Sequence, residues 1–151
     1  MTDNRWARLS RLELIAYGKE LVTDRLRQLG CAVIPPSNPI DGRLSLQTTS
    51  GRPLEVFVST QRVGGYAFWT KRRLQPAADR FAVVVLLADA REPQVYLVPS
   101  LDWIDAKPPL TDRDYEGRKS EPEYGIELTP AALPLLERYA WTAATAQRAF
   151  A

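Results

Sequence analysis

The chain has 151 residues, of which 45% are hydrophobic and 25% charged, and this composition is typical of one ordinary globular domain. A chain of this length buries enough surface on folding to need neither disulfides nor a structural metal. With no histidine and with Cys31 as the one cysteine, it excludes Ser-His and Cys-His catalysis and zinc sites built from histidine or from several thiolates.

The net charge of +2 conceals an asymmetry between the two halves of the chain. Residues 1–80 hold 13 Lys and Arg against 7 Asp and Glu, whereas residues 81–151 hold 7 against 11, so the halves carry +6 and −4. A basic half is typical of a surface that binds phosphate or another polyanion, but the two halves could equally pair their charges within one fold. No apolar run approaches the roughly 20 residues of a membrane-spanning helix, so we expect a cytoplasmic protein with no membrane partner.

The first predicted element is a helix from about Ser10 to Leu29. Apolar residues recur there at intervals of three, four and seven, which is the spacing of one helical face. Ser10 is a plausible N-cap, and Glu13 three residues later completes a capping box. Gly30 is a natural C-terminal stop.

Five strands are predicted from apolar runs and from alternation of apolar and polar residues. The valine-rich run from Phe81 to Ala88 is typical of a strand buried on both faces. The second and third strands are separated by a turn, which predicts an antiparallel hairpin. The predicted strands cover residues 31–34, 43–49, 54–60, 81–88 and 94–98.

The remaining segments complete a single domain over residues 1–151. Residues 106–128 are acidic and contain proline, so they predict a surface loop. Residues 129–149 predict a C-terminal helix that Thr129 caps and in which Pro130 takes the first position. The fold class is therefore α/β (α+β), with a single mixed central sheet of about five strands flanked by the N-terminal and C-terminal helices.

Several segments follow one another in an order and spacing that resemble a known superfamily. These are Gly18-Lys19-Glu20, Asn38-Pro39-Ile40-Asp41, Val58-Ser59-Thr60, Tyr66 to Lys71, Phe81 to Leu87 and Tyr96 to Ser100. Over about residues 10–105 the chain resembles the PD-(D/E)XK superfamily of restriction-endonuclease-like nucleases and their small relatives. The resemblance implies a restriction-endonuclease-like core.

Active members of that superfamily hold Mg²⁺ with an acid at the start of one strand and with an acid-any-lysine triplet in the next, whose lysine positions the attacking water. Asp41 matches the first acid, Glu55 matches the acid of the triplet, and Glu20 matches an acid that many members carry on the first helix. The lysine position is then Phe57, and in the register Phe57-Val58-Ser59 the acid is absent as well. The resemblance therefore implies a degenerate relative without the motif lysine.

Each of these acids also has an ordinary structural explanation. Glu20 points away from the apolar face of its helix, Asp41 precedes Gly42 as in many turns, and Glu55 is a polar position of an alternating strand. If the protein is active, Asp41 and Glu55 are the metal ligands and Lys71 is the candidate for a displaced lysine. Otherwise no cofactor is expected.

Residues 61–73 interleave aromatic and basic side chains, a mixture that suits contact with phosphates and unpaired bases. The alternative interpretation of residues 61–73 is a strand that packs in the core, followed by a solvated basic turn. Because neighbouring residues on a strand face opposite sides, one of Phe68 and Trp69 is expected in the core and the other at the surface. The candidate nucleic-acid contacts are Arg62, Tyr66, Trp69, Lys71, Arg72 and Arg73.

Three functions follow from these observations. The first is a catalytically inactive nuclease-like domain that binds DNA or RNA, or supports a nucleic-acid-processing system. The second is a protein–protein interaction module without nucleic acid. The third is a Mg²⁺-dependent nuclease that uses the displaced Lys71.

Overall fold

The computed structural model of this chain describes residues 5–89, 91–115, 117 and 119–151, and it is a mixed α+β fold with two sheets. Short 3₁₀ turns lie at Arg5–Arg8, Ser100–Trp103 and Glu137–Tyr139. The helices are α1 (Arg11–Gln28), α2 (Leu133–Leu136) and α3 (Ala143–Phe150). The strands are β1 (Ala32–Ile34), β2 (Arg43–Gln47), β3 (Pro53–Arg62), β4 (Tyr66–Thr70), β5 (Arg80–Leu87), β6 (Gln94–Pro99), β7 (Leu110–Arg113) and β8 (Glu123–Glu127).

The large sheet has five strands in the order β1-β2-β3-β5-β6. β3 and β5 run parallel, from the pair Glu55 and Arg80 to the pair Arg62 and Leu87, and the other neighbouring strands are antiparallel. The predicted mixed sheet of five strands and its hairpin are therefore confirmed. β5 is buried from residue 81 onward, as expected, although β3 occupies the middle of the sheet.

The large sheet packs on both faces, so the fold has three layers. On one face, alternate residues such as Val56 and Val83 join α1 and α3 in one core cluster. On the other face, Phe57 and Val84 join the small sheet, β4-β8-β7, in a second cluster. Only 2% of Phe57 is exposed, so the small sheet covers the face of β3 that also carries Glu55.

Helix α1 has the predicted ends. Ser10 accepts a hydrogen bond from the Glu13 N–H, and the Glu13 carboxylate accepts one from the Ser10 N–H, which confirms the capping box. Gly30 follows the helix with a φ of 88°, a conformation that favours glycine. Midway along α1, Gly18 lies so close to β3 that a Cβ atom there would be 1.7 Å from Thr60 Oγ1. The helix and the strand thus cross at a position where only glycine fits without a rearrangement.

The prediction of a surface loop over residues 106–128 was wrong in part, because this region contains β7 and β8. β8 pairs with β4 on one side and with β7 on the other, and these three strands form the small sheet. The side chains of β8 point alternately to the two faces of the small sheet. The sequence does not show the apolar and polar alternation of a strand there, because β8 contains Gly125 and two acids.

A C-terminal helix is present as predicted, but the prediction that it covers residues 129–149 was wrong. The chain forms the single-turn α2, a 3₁₀ turn and then α3, with Ala140 between them in an extended conformation that bridges to Tyr96. Thr142, and not Thr129, caps the final helix, and it forms a capping box with Thr145. Among the described residues, no helix has the length and apolar character needed to cross a bilayer.

Candidate functional site

A groove of about 540 Å³ opens where β3 continues beyond the end of its partner β2. The pairing of β2 with β3 ends at Arg43 and Phe57, whereas β3 extends to Arg62. The other walls are the N-terminal part of α1 and the strand β4, which is an edge strand of the small sheet. The groove therefore lies between two sheet edges.

Beyond its pairing with β2, the strand β3 makes one more backbone contact, with Gly42, before its free edge enters the groove. The Val58 N–H donates to the Gly42 carbonyl at 2.8 Å, and a Cβ atom on Gly42 would lie 2.2 Å from the Val58 carbonyl oxygen. Because backbone groups point alternately to the two sides of a strand, the Thr60 backbone turns to the same side as that of Val58. It lies past the end of β2 and faces the groove.

Three arginines line the groove, and no Asp or Glu is among the described residues that line it. Arg62 donates from Nη2 to the carbonyl oxygens of Trp6 at 2.6 Å and Leu9 at 3.1 Å. Arg73 donates from Nη2 to Asp41 Oδ1 at 2.6 Å. Arg11 is exposed and has no hydrogen bond or ion pair within the part of the chain that the structure describes. The groove is thus positively charged along its walls.

An aromatic pair on β4 stands beside these cations. The Phe68 ring is 54% exposed and lines the groove, and its centroid lies 5.9 Å from that of Tyr66 with an angle of 20° between the rings. Trp69, on the opposite face of the strand, is 7% exposed and packs edge-on against Trp103. The expectation that one of Phe68 and Trp69 is buried and the other exposed is confirmed.

The small sheet holds the Tyr66 ring in place. The Tyr66 hydroxyl is 2.6 Å from Thr111 Oγ1, and the Arg113 guanidinium lies 4.7 Å from the ring centroid. A Cβ atom on Gly125 would lie 2.0 Å from the Tyr66 hydroxyl oxygen, so the glycine leaves the space that this ring fills. Burial, and secondarily the neighbouring Glu123, raise the pKa of Tyr66 to about 12. The ring behind Phe68 is therefore fixed and uncharged.

The two strand-associated acids implied by the resemblance are both bound to arginine. Asp41 Oδ1 accepts from the Arg43 N–H at 2.9 Å and from Arg73, and Glu55 Oε1 accepts from Arg43 Nη2 at 2.5 Å. Asp41 and Glu55 therefore lie on either side of Arg43. Glu20 is exposed on α1, and no hydrogen bond or ion pair in the described residues joins it to either acid. A guanidinium group occupies one oxygen of each acid, so Mg²⁺ would have to compete with arginine for Asp41 and Glu55.

Lys71 is held by acids that follow it far along the chain. Its Nζ donates to Asp112 and, at 2.7 Å, to Asp114, and it lies 4.8 Å from the centre of the Tyr124 ring. Burial alone would lower the pKa of Lys71, but the two carboxylates outweigh burial and raise it above its ordinary value. Lys71 thus stays protonated and directed toward the acids of β7 and the loop after it.

Arg72 is likewise paired within the fold. It donates from Nε and Nη2 to the two carboxylate oxygens of Glu121, at 2.8 and 3.3 Å. For Lys71 and Arg72, the basic first half and the acidic second half of the chain therefore pair their charges. Of the predicted nucleic-acid contacts, Arg62, Arg73 and Trp69 line the groove, although Trp69 is mostly buried, and Tyr66 packs beside Phe68.

Arg11 was not predicted as a site residue from the sequence. Arg11 is the first residue of α1, and the residue four positions later, Ile15, is apolar, so the helix offers it no acid at that spacing. An unpaired cation at the start of an otherwise capped helix was the one signal in the sequence that could have marked it.

Comparisons of the chain with protein-family models, with curated proteins and with solved structures found no match. The resemblance to the restriction-endonuclease-like nucleases therefore rests on the order and spacing of sequence segments, and it stays a prediction.

Proposed function

We propose that this protein is a nuclease-like domain without catalytic activity that binds nucleic acid in the groove between α1, β3 and β4. The observation that carries the proposal is the set of three groove arginines, Arg11, Arg62 and Arg73, with no carboxylate among the described residues that line the groove. Arginine presents several N–H donors in a planar fork that matches phosphate oxygens, and phosphate contacts supply most of the affinity of nucleic-acid binding.

The groove arginines keep donors for a ligand. Both hydrogen bonds that Arg62 makes within the described chain come from Nη2, and a guanidinium has five N–H donors in all. Arg73 also bonds through Nη2 alone, to Asp41. Arg11 has all of its donors free among the described residues. These groups offer phosphate contacts without first breaking the bonds that hold the site.

The absence of catalysis in this proposal rests on the acids and the lysine. Neither register of the strand around Glu55 contains the motif lysine. Asp41 and Glu55 are engaged with arginine, and Lys71 is engaged with the acids Asp112 and Asp114. Binding to nucleic acid requires none of these groups to be released.

The test compares two triple variants that lose the same charge. The groove variant replaces Arg11, Arg62 and Arg73 with Gln, and the control replaces Arg27, Lys107 and Arg148, which are exposed and do not line the groove. Affinity for single-stranded and duplex DNA and RNA is measured as salt rises from about 50 mM, where phosphate contacts are strong. We expect the groove variant to bind more weakly and to flatten the salt dependence on single strands by about 0.7 for each phosphate that it no longer binds. The control should keep most of the affinity and of the salt dependence.

The single variant Arg11→Gln separates binding from stability, because Arg11 makes no hydrogen bond or ion pair within the described residues. It should weaken binding and leave the melting temperature unchanged. Equal losses of affinity in the groove and control variants would contradict a specific groove. A parent protein that binds neither DNA nor RNA at about 50 mM salt would contradict the proposal itself.

A second candidate, a protein–protein interaction module, is favoured by the two sheet edges beside the groove. An extended peptide can add to such an edge through backbone hydrogen bonds. In this case the protein would bind an acidic extended peptide and no oligonucleotide. Titration of the parent protein with both probes separates the two functions.

A further inference from the structure

We infer that the groove takes single-stranded nucleic acid in preference to duplex, with one base stacked on Phe68. This inference rests on the proposed function and adds the class of nucleic acid and the residue that selects it. Its starting point is the side chain of Phe68, which is 54% exposed although it borders a charged groove.

The Phe68 ring is the outer member of a stack. Tyr66 covers one side of it at a centroid separation of 5.9 Å, and Arg113 lies 4.7 Å from the Tyr66 centroid. The hydrogen bond of Tyr66 with Thr111 and the space above Gly125 fix the inner ring. A planar base that lies on the exposed part of Phe68 continues this stack with a partner that is already ordered, so less conformational entropy is lost on binding.

The groove that Phe68 borders also carries cations. Phe68, Arg11 and Arg73 line the same groove, so a base on the ring and its flanking phosphates can be bound together. A groove of about 540 Å³ has the size of a site for a small organic ligand, which suits one or two nucleotides. An unpaired nucleotide fits this space, whereas a duplex keeps the faces of its bases stacked inside the helix.

Phe68 favours a ligand that has a flat aromatic face, such as a nucleobase. An acidic peptide would satisfy the arginines equally well, but it would gain little from a fixed flat stack of two aromatic rings. Stacking of bases on aromatic side chains is worth enough to change affinity by about 5- to 150-fold per base, and it is nearly independent of sequence. We therefore expect weak sequence preference together with a strong preference for unpaired bases.

The experiment uses three probes of equal length: single-stranded oligothymidine, the same backbone with abasic sites, and a duplex. Phe68→Ala should weaken oligothymidine binding by roughly 5- to 150-fold and leave abasic and duplex binding nearly unchanged. Phe68→Trp should restore it, because tryptophan also stacks. Ile104→Ala is the matched control, since Ile104 is 71% exposed and does not line the groove. Melting temperatures should stay at the parent value in Phe68→Trp and Ile104→Ala, and Phe68→Ala should melt slightly lower because it loses the stack on Tyr66.

The contrary outcomes distinguish failure of the stacking inference from failure of the proposed function. If the abasic strand binds as tightly as oligothymidine, or if Phe68→Ala loses no affinity while the groove arginine variant does, the stacking inference is wrong and the proposed function stands. If an acidic extended peptide binds and no oligonucleotide does, both are wrong.

Discussion

The crossing of α1 over β3 can be tested by filling the space at Gly18. An alanine Cβ there would lie 1.7 Å from Thr60 Oγ1 and 3.1 Å from Thr60 Cβ, so the threonine side chain or the helix must move. Alanine favours a helix over glycine by about 1 kcal/mol, and overpacking a tight contact costs about 1–3 kcal/mol. Because the contact is far inside van der Waals distance, we take the upper end of that cost and expect Gly18→Ala to lower the free energy of unfolding by about 1–2 kcal/mol.

Thr60→Ala should rescue this loss of stability. It removes Oγ1 and Cγ2 and leaves only the Cβ atom at 3.1 Å, and Oγ1 is buried without a hydrogen-bond partner in the described chain, so its removal costs little. In the double variant the gain in helix propensity remains, and its stability should return to the parent value or exceed it. Urea unfolding of the four proteins gives the coupling between the two sites, which we expect to be about 1–3 kcal/mol.

A Gly18→Ala variant as stable as the parent, with no coupling to Thr60→Ala, would contradict this close contact between α1 and β3. The helix would then not rest on β3 at this point. The outcome also bears on the groove, because Arg11 lies two helical turns before Gly18 and therefore on nearly the same face of α1.

Three further predictions concern the groove and the C-terminal region. Gly42→Ala should cost roughly 2–3 kcal/mol in urea unfolding, because its Cβ would lie 2.2 Å from a backbone oxygen of β3 that cannot rotate away, and an unchanged midpoint would contradict this contact. Plasmid DNA should stay intact with Mg²⁺ or Mn²⁺, and nicking that disappears in Asp41→Asn would overturn the inactive assignment. Burial, and secondarily the hydrogen bond to Asp102, raise the pKa of Tyr139 to about 12, above the value of about 10 in an unfolded chain, so the stability it contributes is present below pH 10 and is lost from about pH 10 to 12. Tyr139→Phe should therefore melt below the parent at pH 8, since it lacks the hydrogen bond, and the gap should close as the pH rises to about 12; a constant gap would refute the shift.

The large sheet could be predicted from sequence because its signals are local. The valine-rich run of β5 shows burial on both faces, and the alternation in β2 and β3 shows burial on one face. Both patterns can be recognised from a few consecutive residues. The small sheet could not be found in the same way. Residues 61–73 were interpreted as a nucleic-acid contact or a core-packing strand. The strand that pairs with β4 is β8, which lies more than fifty residues later and contains a glycine and two acids.

The same limit applies to the candidate site. The aromatic and basic residues on and beside β4 were found from composition alone, and two of the predicted arginines line the groove. Nothing near Lys71 or Arg72 in the sequence indicates that residues 112–121 hold them, since these ion pairs form only when the small sheet closes. Arg11 joins the site because α1 packs against β3, which it approaches closely at Gly18, and this packing is a tertiary contact.

The connection between the parallel strands β3 and β5 has a consequence for the order of folding during synthesis. This connection contains β4, whose neighbour β8 ends at Glu127, whereas the large sheet is complete at Pro99. A growing chain can therefore form the large sheet while β4 has no strand to pair with, and contacts between distant segments form slowly. We expect β4, which carries Phe68, to pair only after β8 is made, so that a ribosome-bound chain stopped before β8 has no competent binding site.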